Sequence, residues 1–291
     1  MSHRRPLHKG QHDFLRCNCS EPESPVCARC SRAQPAGYRD VTWRGRHADA
    51  RGATPGDREA PTVVIVHGAW VDGTSWREVI ALLHVRGLSV IAVQNPLSAL
   101  GDDVDAVARV IKRQPGPIVL VGHGYGGSVI TQVGDHSRIA ALVYIAACAP
   151  DIGESTTDVE KLGPLSPVIS RFEVDAGGFL YLPPAAVREF LAHDLSAAEV
   201  RVLAAAQPPI RASALLDRVT KAAWRTKPSW YAVTDEDRII SPALQRKIAA
   251  RIEARVLSLR AGHVPFLSKP KETAEVIIAA VDLVREKWPS Q

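Results

Sequence analysis

Three parts of this chain could do chemistry together: the turn Leu120–Gly127 (LVGHGYGG), Asp237 and His263. The turn has the spacing of a nucleophile elbow, G-x-S-x-G, which holds a hydroxyl at the end of a strand just before a helix opens. Its centre here is Gly124, so the hydroxyl that would form an acyl-enzyme is missing. Gly122, Gly126 and Gly127 suit a turn too tight for side chains. An imidazole at His263 could move a proton, and a carboxylate at Asp237 could fix its tautomer. The order along the chain is therefore nucleophile position, acid, base.

A developing oxyanion needs backbone donors. The stretch HGAWVDGTSW, from His67, offers the N–H of Ala69 or Trp70, and Tyr125 offers the second at a helix N-terminus. Two nearby hydroxyls are poor substitutes for the missing one. Ser128 lies one turn into the helix after the elbow, and Ser75 belongs to a different helix. His123 is expected to pack beneath the turn and His67 to brace its loop. Asp235 and Glu236 read as solvated loop charges, His84, His136 and His193 as surface residues, and Arg238 as a surface or salt-bridging residue. Cys148 reads as a small buried residue.

These residues must be carried by strands and helices. TVVIV (62–66) is a β-branched run of the kind found in buried parallel strands. LSVIAV (88–93), PIVLVG (117–122), ALVYIAA (141–147), SWYAV (229–233) and RVLSL (255–259) read the same way. Between them lie helical patterns. One ends at Gly87, and one has apolar residues from Val104 to Ile111 with Asp102 or Asp103 as its cap. Another opens at Ser241-Pro242, and the last runs from about Pro270 to Trp288. Strands alternating with helices predict a mostly parallel sheet covered on both faces. Ligands of such sheets bind beyond the carboxyl ends of the strands, where the candidate loops fall.

The rhythm breaks at 150–226, which shows helical and Pro-rich segments but no sheet strand and reads as an inserted helical cap. The expected organisation is a low-order extension over 1–60, a core from 61–149 and 227–291, and that cap between them. Phe179 and Tyr181, in the apolar stretch FLYL, are candidates with Trp70 to line a substrate pocket, or ordinary cap core.

The net charge of +5 does not point to nucleic acid: residues 1–60 hold 11 Lys and Arg against 7 Asp and Glu, leaving the remainder near neutral. No segment has the apolar length of a membrane span, and no apolar signal follows the basic first residues, so a cytoplasmic location is expected. Cys17, Cys19, Cys27 and Cys30 are spaced C-x-C-x7-C-x2-C. They could hold a Zn²⁺, or lie as unpaired thiols in a low-order leader.

From about Pro61 onward the sequence resembles the α/β-hydrolase superfamily, and in particular small bacterial esterase-like members. The resemblance rests on VIVHGAWVDGTSW, GPIVLVGHGYGGSVIT, LVYIAACAPDIGES, FLYLPP, PSWYAVTDEDRIISP and GHVPFLSKP. The chain order of the three site positions is the one this fold uses. The likeness implies an α/β-hydrolase fold acting on small carboxylic esters, with no metal or organic cofactor and a small molecule as partner. It departs from the pattern at Gly124. Three readings stay open at this point: an inactivated esterase, an Asp237–His263 dyad working through water, and a non-catalytic small-ligand binder.

Overall fold

The structure is a computed structural model and describes residues 61–287. Six parallel strands form the central sheet: β1 (Thr62–Val66), β2 (Ser89–Val93), β3 (Ile118–His123), β4 (Ile139–Ile145), β8 (Ser229–Thr234) and β9 (Arg255–Leu259). Their order is β2-β1-β3-β4-β8-β9, and β1, β3 and β8 are buried along their whole length. Burial on both faces is why these segments read as unbroken apolar runs rather than alternating ones. The edge strands β2 and β9 are more exposed and more polar.

Helices flank the sheet. They are α1 (Arg77–Val85), α2 (Leu100–Lys112), α3 (Gly126–Val133), α7 (Pro242–Arg251), α8 (Pro265–Ser268) and α9 (Pro270–Lys287). Helix α9 packs on β3, β4 and β8 and against α1, while α2 packs against α3. Ser241 caps α7 by accepting from Leu244 N–H, with Pro242 at the first helical position. Helix α2 starts earlier than its sequence suggests, at Leu100, so neither Asp102 nor Asp103 is its cap residue. Asp103 instead turns inward and accepts the N–H of Leu97 at 2.8 Å and the hydroxyl of Tyr125 at 2.8 Å.

The chain between β4 and β8 carries α4 (Thr156–Glu160), β5 (Glu173–Val174), β6 (Phe179–Tyr181), α5 (Pro184–Ala186), α6 (Ala197–Ala206) and β7 (Ile210–Arg211). A π-helical turn, Val187–Leu191, follows α5. Strands β5, β6 and β7 form a small antiparallel sheet, so the insertion, in which no sheet strand was expected, carries three short ones beside its helices. With two or three residues each, they are too short to show a period in the sequence. Among the described residues no helix is long and apolar enough to cross a membrane.

From β1 the chain moves outward to β2, then crosses back to β3 on the other side of β1. The loops after β1 and β3 therefore diverge, opening the kind of crevice in which open parallel sheets bind ligands.

Candidate active site

The elbow begins where β3 ends. Gly124 has φ +53°, in the left-handed region that side chains adopt only under strain. Its carbonyl accepts from Gly127 N–H at 3.2 Å and Cys148 N–H at 3.1 Å, and its own N–H donates to Ile145 O. The turn is thus tied to the end of β4 as well as to α3. Close approach explains Gly127: a Cβ there would lie 2.1 Å from the carbonyl oxygen of Cys148.

Asp237 and His263 come together beside this turn. His263 Nδ1 stands 2.8 Å from Asp237 Oδ2, which requires the proton on Nδ1 and leaves Nε2 as the free nitrogen. A Cβ at Gly124 would sit 3.3 Å from that Nε2. Asp237 is itself fixed by four further donors. Its Oδ1 accepts from the N–H groups of Ile239 and Ile240 at 2.7 and 3.0 Å. Its Oδ2 accepts from Thr234 Oγ1 at 2.9 Å and Gln245 Nε2 at 2.8 Å. Both residues of the pair are buried. Asp235 and Glu236 are exposed and pair with Arg246 and Arg260.

Ala69, Trp70 and Tyr125 line the same cavity as Gly124 and His263. Among the described residues none of their three backbone N–H groups is bonded to a protein acceptor. Trp70 has φ +60°, unusual for a bulky residue, and its indole N–H donates to Leu180 O at 3.1 Å. The Tyr125 side chain points away, into its bond with Asp103, whose carboxyl burial pushes up to about 6.

The histidines around the turn divide by role. His67 Nε2 accepts from Asn95 N–H at 2.9 Å and its Nδ1 donates to Gly68 O, and burial lowers its pKa, so it braces the loop as a neutral ring. His123 packs between Trp76, Phe266 and His263, with Nε2 donating to His263 O at 2.9 Å; burial holds its pKa well below the usual value. His193 departs from the surface reading: it is half-buried and its Nδ1 has no partner among the described residues. Ser128 is buried against Thr156 Oγ1, and Ser75 is spent in a capping box with Asp72, so neither hydroxyl faces Gly124. Cys148 is buried. Arg238 donates to Glu189 O on the surface.

The room this cavity offers to a water-sized molecule is about 60 Å³. Trp70 lines it, whereas Phe179 and Tyr181 do not: both lie in the small antiparallel sheet. Phe172 takes that place, its ring 5.2 Å from that of Trp70. Glu160 also lines the cavity, and nothing in the sequence pattern singled it out. Burial raises its carboxyl to about 7, with the nearby His263 acting against that shift. Cys17, Cys19, Cys27 and Cys30 lie outside the described residues, within which no cluster of three metal-ligating side chains occurs.

A strand-to-helix elbow at a parallel sheet's switch point, with an Asp–His pair from the ends of β8 and β9, defines a hydrolase architecture. The chain belongs to the alpha/beta hydrolase family, whose model matches residues 63–276. It is 26% identical over 243 residues to a probable hydrolase R7 of Phoma sp., covering 75% of this chain and 96% of that protein. It is 25% identical over 253 residues to a pyrethroid hydrolase of Sphingobium wenxiniae, covering 77% and 89%. Among solved structures, a polyneuridine aldehyde esterase superposes with TM-score 0.67 at 18% identity, covering 76% of this chain and 99% of that one.

Proposed function

We propose that this chain has the build of an esterase for small carboxylic esters, with Gly124 in the place of the serine nucleophile and ester turnover consequently weak or absent. The observation that carries the reading is the placement of His263. Held by Asp237, its free Nε2 faces the point 3.3 Å away where a side chain at 124 would begin. Ala69 or Trp70, with Tyr125, supplies N–H groups for the oxyanion. Relatives that include a pyrethroid hydrolase and an esterase fit an ester-like substrate.

In the complete reaction a hydroxyl at 124 gives its proton to His263 Nε2 and its oxygen attacks the carbonyl carbon. The imidazolium then protonates the departing alcohol, and water releases the acid by the same route. Restoring the hydroxyl with Gly124→Ser is expected to raise turnover of short-chain chromogenic esters by orders of magnitude. The gain should vanish in Gly124→Ser/His263→Ala. Unchanged turnover in a folded Gly124→Ser protein overturns the reading.

A second reading has its own support in the free Nε2 and the side-chain space left at 124. His263 could deprotonate a water there, with no covalent intermediate. Systems lacking a member of such a triad retain about 10³–10⁴-fold acceleration over water. Slow hydrolysis by the unaltered chain that disappears with His263→Ala would favour this route.

A further inference from the structure

Glu160 ends α4 and lines the cavity that also contains Gly124 and His263. Among the described residues its carboxyl makes no hydrogen bond and no ion pair. The hydroxyls around it are already committed. Thr156 bonds Ser128, Thr157 donates to Leu215 O, and Ser166 donates to Arg238 O. The rest of the wall is mostly apolar, including Val168, Ile169, Leu215 and Leu244, together with the Trp70–Phe172 aromatic pair. The cavity thus carries two kinds of polar group: the His263 imidazole with the free N–H groups, and the unpartnered Glu160 carboxyl.

The Glu160 carboxylate is half-buried and has no partner among the described residues, so a ligand that brings one gains a charge-matched contact there. The carbonyl and alkoxy oxygens of an ester can only accept and so oppose an ionised carboxylate, whereas a charged nitrogen matches it. Trp70 and Phe172, aromatic residues lining the same cavity, also suit an organic cation. We propose that the cavity takes small esters carrying a positively charged nitrogen, met by the Glu160 carboxylate while the ester carbonyl lies toward Gly124 and His263. This deepens the esterase reading and rests on it for the placement of the carbonyl.

The test is calorimetric titration of the unaltered full chain with two isosteric acetates, one bearing a trimethylammonium group and one an uncharged tert-butyl group. It is run at mildly alkaline pH, where Glu160 is ionised. The cationic ester is expected to bind at least about ten-fold more tightly than its neutral isostere. In Glu160→Gln the two should bind within about two-fold of one another, with the neutral ester little changed. Equal binding by the unaltered chain, failure to bind either ester, or a preference that survives Glu160→Gln overturns the proposal. Turnover of the neutral ester by Gly124→Ser is read separately. If that variant is inert while the binding preference is present, the esterase reading fails and the assignment of Glu160 stands.

Discussion

His263 Nε2 lies 3.3 Å from the position a Cβ would occupy on Gly124, tighter than most real contacts of that kind. The imidazole therefore sits slightly into the space of the missing side chain, while its bond to Asp237 stays intact at 2.8 Å. The backbone at 124 keeps φ +53°, the conformation in which an elbow would present a hydroxyl.

That backbone conformation has a consequence for stability. A non-glycine residue there carries strain of about 1–3 kcal/mol, and His263 must also shift by a few tenths of an ångström. Gly124→Ser and Gly124→Ala are both expected to lower the melting temperature by similar amounts, with only the serine variant gaining turnover. Thermal denaturation of the two side by side checks this.

Asp237 is expected to be indispensable once a hydroxyl is restored. In a Gly124→Ser background, Asp237→Asn should lower kcat on the order of 10⁴-fold by allowing the wrong imidazole tautomer. The same change turns an amide N–H toward groups that now donate to Oδ1 or Oδ2, at a cost of about 1–3 kcal/mol. Steady-state kinetics and chemical denaturation measure the two effects independently.

Tyr125 links the elbow to a titrating group. Burial raises Asp103 to about 6 in the folded protein, above its ordinary value of 3.8, so the folded state holds this proton more tightly than the unfolded chain does. Its contribution to stability is full below 3.8 and is lost as pH rises through about 6. The Tyr125 hydroxyl bond opposes that shift. Tyr125→Phe should therefore raise the Asp103 pKa further and steepen the loss of stability between mildly acidic and neutral pH. Melting curves across that range would contradict this if the variant and the unaltered chain stay parallel.

Gly127 should tolerate no side chain. A Cβ there would lie 2.1 Å from Cys148 O, and that carbonyl is backbone with little freedom to move. Gly127→Ala is expected to cost more than the roughly 1–3 kcal/mol of ordinary overpacking, or to prevent soluble folding. Normal expression and melting would contradict the close packing of the elbow on the strand β4 end.

The sheet and the Asp–His pair were legible because their signals are local. Six β-branched or apolar runs mark strands buried on both faces, and chemistry-bearing residues follow directly on β3, β8 and β9. The rest of the cavity wall was not legible. Phe172 and Glu160 reach it through the packing of a short helix and a 3₁₀ turn, and neither position carries a motif. Phe179 and Tyr181 misled because an apolar stretch looks alike whether it roofs a pocket or pairs in a three-residue strand. Asp103 misled for a related reason. Its side chain suits a helix cap, yet burial gave it Leu97 and Tyr125 as partners instead.

The central claim is that only the hydroxyl at 124 is missing from a competent ester site. Intact-protein mass spectrometry after exposure to an alkyl fluorophosphonate tests it most directly, because covalent capture needs the nucleophile, the base and the oxyanion donors together. One adduct is expected on Gly124→Ser, located at position 124, none on the unaltered chain, and none on Gly124→Ser/His263→Ala. A folded Gly124→Ser protein that takes no adduct, or an unaltered chain that takes one, would contradict it.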